Sequence, residues 1–208
     1  MTERLVERTL RAFSDDLASS AAVPGGGSAA AYAGAMGAAL AAMVGRIAER
    51  KETSEATTAL ITEADKLRAD FIRLVDDDSA AYAQVSAAMK LPKATDDEKS
   101  ARTERIQTAL LAASRVPLEV AKTSRRLLDL CERTVERAAT ATVSDIGVGA
   151  FLAETALRGA ALNVMINLAS IKDASQVKVL SEDLDLAVDG ADEQRTRITD
   201  FVESRIAR

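Results

Sequence analysis

Apolar residues return at three- and four-residue steps along almost the whole chain, the period of one face of an α-helix, and the interruptions carry Pro, Gly or capping residues. The first predicted helix buries Val6, Leu10, Phe13 and Leu17. After the turn Val23-Pro24-Gly25-Gly26-Gly27, Ser28 is placed to cap a second helix that runs to about Glu49. That helix has two faces. Tyr32, Met36, Leu40 and Met43 form one; Ala30, Gly34, Gly37, Ala41 and Gly45 form the other, which is small enough for a second backbone to come close.

A long third helix is predicted over residues 54–90, with the stripe Leu60, Ala64, Leu67, Phe71, Val75, Asp78, Tyr82, Val85 and Met89. Leu91-Pro92-Lys93 ends it, and Thr95 with Glu98 at capping-box spacing starts the next. Pro117 is expected to kink or split that helix, which continues with Val120, Ser124, Leu127, Cys131 and Val135 facing inward. Residues 139–143 read as a connection, and Ser144 or Asp145 as the cap of a helix reaching about Ile171. A last helix carries Val177, Leu180, Leu184, Ala191, Ile198, Val202 and Arg205 in register. No repeat or linker interrupts residues 1–208, so the expectation is a single all-α domain, a multihelical bundle of long antiparallel helices.

Composition sharpens this picture. Aromatics are 3% and alanine dominates, which favours helix over sheet. The formal net charge of −5 comes from interspersed charges of both signs, with no basic block to track a phosphate backbone, so no nucleic-acid partner is expected. Residues 17–45 carry no charge, but they consist largely of Ala, Gly and Ser and are broken by Pro24, so they are read as buried in protein and not in a membrane. The single cysteine, Cys131, has no internal partner and reads as a small core residue; no leader pattern opens the chain, and a cytoplasmic location is expected. Histidine is absent, which leaves proton chemistry to carboxylates, Lys, Tyr or Cys.

Among the carboxylates Asp78 stands apart. Arg73 lies three and four residues before Asp76 and Asp77, on their helix face, whereas the neighbours of Asp78 at that spacing are Leu74, Val75, Ala81 and Tyr82. Burial without a cation raises a carboxyl pKa toward the range useful for proton transfer; the alternatives are that Asp78 reaches water or meets an Arg from another helix. The turn Gly25-Gly26-Gly27-Ser28 offers bare amides at a helix start, suited to an anion or a polar ring edge, or else it is simply a tight turn that lets helices cross. It is neither a Walker loop nor a dinucleotide fingerprint, and no metal site is expected. Gly159, Asn163 and Asn167 follow at four-residue steps, and the two amides either satisfy backbone groups or recognise a ring with mixed donors and acceptors.

Three stretches together resemble the cyclodeaminase domain of formimidoyltransferase-cyclodeaminase and the stand-alone methenyltetrahydrofolate cyclohydrolases. They are Pro24-Gly25-Gly26-Gly27-Ser28-Ala29-Ala30 with Gly37-Ala38-Ala39-Leu40, residues 76–82 with Leu91-Pro92-Lys93, and Ser144-Asp145 with Asn163-Val164-Met165-Ile166-Asn167-Leu168. The resemblance implies a dimeric helical bundle with a folate site near the subunit boundary and Asp78 as the essential carboxylate. It also implies that the glycine turn, Lys93, Asp145 and Asn163 line the pocket, with Asn167 a further binding group. Lys93 is the group expected to pair with the glutamate tail of a folate. The substrate would be a tetrahydrofolate derivative, with or without a polyglutamate tail, and no metal or organic cofactor is expected. With no transferase portion attached, the expectation leans to a cyclohydrolase over a cyclodeaminase. The rival expectation is a non-catalytic assembly module, motivated by the small-residue face of the second helix.

Overall fold

Glycine and alanine decide how closely the helices of this protein approach one another. The computed structural model describes residues 4–207. It contains α1 (Leu10–Leu17), α2 (Gly26–Glu49), α3 (Glu55–Met89), α4 (Asp96–Val135), α5 (Val143–Leu168), α6 (Ala174–Val188) and α7 (Ala191–Ile206), with 3-10 turns at Leu5–Glu7 and Thr140–Thr142. No strand occurs among the described residues, in agreement with the all-helical expectation.

The small face of α2 is the central seam. Ala30, Gly34, Gly37, Ala41 and Gly45 are all buried, and α2 packs against α3, α4 and α5 along it. A Cβ at Gly34 would stand 2.5 Å from Cζ of Phe71, and one at Gly45 would stand 2.8 Å from Cγ1 of Ile61, so two glycines admit α3. One at Gly37 would meet the Gly149 carbonyl at 3.0 Å, so the third admits α5. Residues with poor helix propensity therefore remain helical because packing holds them. By length and composition α2 could cross a membrane, yet 67% of its apolar window is buried inside the protein.

Phe71, Leu74 and Val75 of α3, Leu127, Leu128, Leu130 and Cys131 of α4, and Ile146 and Leu157 of α5 form the centre of the core. Burial pushes the Cys131 thiol up to about 12, which makes it inert packing. α6 and α7 close the far side against α4 and α5.

Helix starts match the capping residues where local chemistry suffices. Ser54 accepts from the Thr57 amide, and Thr95 and Glu98 form the full capping box. Four expectations fail, and one of the two outcomes expected at Pro117 is excluded. The first segment divides into a 3-10 turn and α1, with Leu10 71% exposed. Ser28 is no cap: α2 begins at Gly26 after Gly25. Neither Ser144 nor Asp145 caps α5, which starts at Val143 after Thr142. The last segment is two helices, broken at Gly190, whose φ of 66° suits only a residue without Cβ. Pro117 neither ends nor splits α4, which runs unbroken from Asp96 to Val135.

The seam yields a signed prediction. Alanine at position 34 gains about 1 kcal/mol of helix propensity, but its methyl group enters the fully buried Phe71 ring, and overpacking costs about 1–3 kcal/mol. Urea denaturation of Gly34→Ala is expected to show a net loss of stability; an increase would mean that α2 and α3 can separate without penalty.

Candidate active site

The apolar stripe of α3 stays in the core as far as Val75 and then emerges into a cleft, where the next member is Asp78. The carboxyl lies on the first turn of α2. A Cβ at Gly27 would stand 2.6 Å from Cγ of Asp78, so only glycine leaves room for it. The Ser28 hydroxyl, fully buried, donates to Oδ2 of Asp78 at 2.8 Å; its oxygen also lies 3.2 Å from the Val75 carbonyl and 3.2 Å from the Ser79 hydroxyl. Ser28 thus reaches α3, where the sequence suggested a local cap.

Electrostatics separate Asp78 from its neighbours as the helix spacing predicted. Asp77 pairs with Arg73, while Asp76 accepts from Arg4 at 2.8 Å and from the Leu5 amide at 2.9 Å. The partner of Asp76 is therefore Arg4, from the N-terminal segment, and not Arg73. Asp78 has no ion-pair partner among the described residues. Burial pushes its carboxyl pKa above the ordinary value, against the opposing pull of the Ser28 hydroxyl and amide.

The cleft has a volume of about 370 Å³ and is lined by Gly25, Gly26, Gly27, Asp78, Tyr82, Met89, Ala113, Asn163, Ile166 and Asn167, among others. That is the size of a small-molecule site, mostly apolar with a few convergent polar groups. Among the described residues, Asp78 and Tyr82 are its titratable linings. Asn163 donates from Nδ2 to the Gly159 carbonyl at 2.8 Å, leaving Oδ1 and one N–H for a ligand. Of the two readings left open for the amides, Asn163 realises the backbone one.

Asn167 explains how α4 continues past Pro117. Pro117 has no N–H, so the carbonyl four residues earlier, that of Ala113, lacks its helical donor. Asn167 of α5 donates from Nδ2 to that carbonyl at 3.2 Å, and both residues line the cleft. The sequence marked Pro117 as a break because its compensating donor lies on another helix. Tyr82, 47% exposed beside Asp78, was visible in the α3 stripe but was not singled out as a site residue.

Ser28, expected among the binding groups, touches Asp78 but does not line the cleft, and two other expected site residues lie elsewhere. Lys93 is exposed on the connection after α3 and does not line the cleft. Asp145 sits in the first turn of α5, and the helix from it to Asn163, at about 1.5 Å per residue, spans about 27 Å, so one chain does not bring them together.

Comparison with known proteins gives the family and the fold. The family model described as formiminotransferase-cyclodeaminase matches residues 9–185. The chain is 37% identical over 202 residues to a methenyltetrahydrofolate cyclohydrolase of Methylorubrum extorquens, covering 95% of this chain and 97% of that protein. It is 36% identical over 175 residues to the formimidoyltransferase-cyclodeaminase of Rattus norvegicus, covering 82% of this chain but 32% of the rat protein, so it spans about a third of that length. The crystal structure of a formiminotetrahydrofolate cyclodeaminase from Thermotoga maritima superposes with a TM-score of 0.84 at 26% identity, over 95% of this chain and 97% of that one.

The Pro117–Asn167 arrangement predicts a coupling. Asn167→Ala leaves the Ala113 carbonyl without a donor, at a cost of about 1–3 kcal/mol. In a Pro117→Ala background the restored amide supplies that bond, and the cost of Asn167→Ala is expected to shrink. A double-mutant cycle in urea reads the coupling directly; strict additivity would show that the two residues act independently.

Proposed function

The chain belongs to the formiminotransferase-cyclodeaminase family, and from that footing we propose that it acts on the one-carbon bridge of tetrahydrofolate, with Asp78 as the proton-transfer group. The observation that carries this reading is a half-buried carboxyl with a raised pKa and no cation partner, set against the open first turn of α2 in a cleft that also presents Asn163 and Asn167. A group whose pKa lies nearer the working pH both takes and gives a proton efficiently.

In hydrolysis of the methenyl cation, water attacks the carbon between N5 and N10 as Asp78 removes a proton from it. The resulting neutral adduct then accepts that proton at N5 as the carbon–N5 bond breaks; the adduct's hydroxyl proton goes to solvent and the formyl group stays on N10. In deamination, N10 attacks the protonated formimidoyl carbon, Asp78 takes the N10 proton, and the same proton leaves with ammonia. Both sequences need one carboxyl that cycles, and neither draws on a metal or organic cofactor. The amides of Gly26 and Gly27 and the free groups of Asn163 and Asn167 suit the mixed donors and acceptors of a pterin edge, while Tyr82 offers a ring face. The similarity to the Methylorubrum cyclohydrolase over nearly the full length of both chains favours hydrolysis.

The proposal includes a homodimer of antiparallel helical bundles in the cytoplasm. The short connections at residues 50–54 and 90–95 support the helix directions, and the single buried thiol supports the location. Support for the dimer comes from an apolar stripe along α5: Val148 (49% exposed), Phe151 (51%), Leu162 (67%) and Ile166 (67%), beside Met36 (41%) and Met43 (37%) of α2. Ile166 also lines the cleft, so a partner seated there would border the site. Such a stripe fits an assembly module as well, but a module gives no reason for the desolvated carboxyl.

Asp78→Asn is expected to lower kcat by about 10²- to 10⁴-fold with KM little changed, followed through methenyltetrahydrofolate absorbance; equal rates in the two proteins would remove Asp78 from the mechanism. Running the wild type on methenyl- and formimidoyl-tetrahydrofolate separates hydrolysis from ammonia release. Leu162→Glu, at an exposed position, is expected to convert a dimer to a monomer in analytical ultracentrifugation, and an unchanged mass would place the interface elsewhere.

A further inference from the structure

We infer that Ser28 is a positioning residue for Asp78: its buried hydroxyl is a rotor that hydrogen-bonds the carboxyl in both of its protonation states. The inference rests on Asp78 being the proton carrier. Ser28 is fully buried and does not line the cleft, so it acts on the reaction only through what it touches. Its oxygen sees three partners: Oδ2 of Asp78 at 2.8 Å, the Val75 carbonyl at 3.2 Å and the Ser79 hydroxyl at 3.2 Å.

This set of partners accommodates both states. When Asp78 is ionised, the Ser28 hydrogen points to Oδ2 and the Ser79 hydroxyl donates to the Ser28 oxygen. When the carboxyl holds a proton, its own O–H donates to the Ser28 oxygen, and the Ser28 hydrogen turns to the Val75 carbonyl. Only hydrogens move. The carboxyl is fixed from the other side by the bare Gly27 backbone, so it gains and loses a proton without leaving its place. A group that must visit both states in each turnover needs that property.

Among the described residues no other charge obscures the effect. α2 brings no titratable group to Asp78, α4 brings Leu110 and Ala113, and α5 brings Asn163 and Asn167. On α3, Tyr82 shares the cleft, Asp77 is paired with Arg73, and Asp76 is paired with Arg4. A change in the titration of Asp78 on altering Ser28 therefore reports the loss of one hydrogen bond.

The test uses Ser28→Ala, which removes the hydroxyl, and Ser28→Cys, which keeps a side chain of similar shape with a weak donor. In the ligand-free protein, ¹³C NMR of the Asp78 carboxyl is expected to show its titration displaced upward by about one pH unit, the amount by which the bond from Ser28 to the carboxylate exceeds its bond with the neutral carboxyl. The Asp78-dependent limb of the pH–rate profile is expected to move the same way, with kcat down about tenfold and KM near wild type. Folded variants whose Asp78 titration stays in place, or whose KM alone rises, would overturn the inference. If Ser28→Ala does not fold, Ser28→Cys decides. Because the NMR titration needs no turnover, it judges Ser28 even if Asp78→Asn proves fully active, an outcome that would overturn the proposed function instead.

Discussion

The structure depends on a carboxyl from one helix occupying the place of the missing side chain at the start of another. Asp78 fits there because Gly27 has no Cβ, and Gly27 is in reach because Gly34 and Gly45 let α2 settle directly onto α3. The seam that builds the core and the contact that builds the site are thus one continuous surface. The first turn of α2 offers its positive end to the carboxylate while removal from water disfavours the charge. Burial is the larger effect, so the group rests above its ordinary pKa although a helix end and a hydroxyl pull the other way.

That balance accounts for the composition of α2. A helix rich in Gly and Ala has little side-chain surface with which to stabilise itself, and it persists because three neighbours enclose it. The same smallness brings the N-termini of α2 and the amides of α5 within one cleft. Bulkier residues along the seam would widen the separation of α2 from α3 and α5, and Asp78 would lose the amide and hydroxyl of Ser28 together.

Much of this was legible along the chain because it is local. The stripe of α3, the capping box at Thr95 and the small face of α2 follow from spacing alone, and spacing also singled out Asp78 as the aspartate without a helical partner. What the sequence hid depends on contacts between distant segments. Pro117 reads as a break until Asn167 supplies the donor for Ala113; Ser28 reads as a cap until Asp78 approaches from α3; Arg4 has no visible claim on Asp76. Gly190 was passed over because one apolar register continues across it, although its positive φ ends α6 and begins α7. Lys93 and Asp145 came from resemblance and not from any pattern in this chain, and a single copy does not carry them to the cleft.

That no arginine among the described residues pairs with Asp78 has a chemical meaning on the proposed reading. A guanidinium in contact would hold the carboxylate charged and low in pKa, which suits an ion pair and not a proton carrier. It would also repel the methenyl substrate, whose bridging carbon is part of a cationic amidinium. Leaving the position vacant reserves the attraction of the carboxylate for the reacting carbon, in a cleft with mostly apolar walls where that attraction is less screened than in water. Once the adduct forms and its positive charge disappears, the carboxyl holds the proton and stays neutral in the site that disfavours its anion. The charge of the substrate and the charge of Asp78 are therefore lost together and restored together, and the bond to Ser28 persists through both.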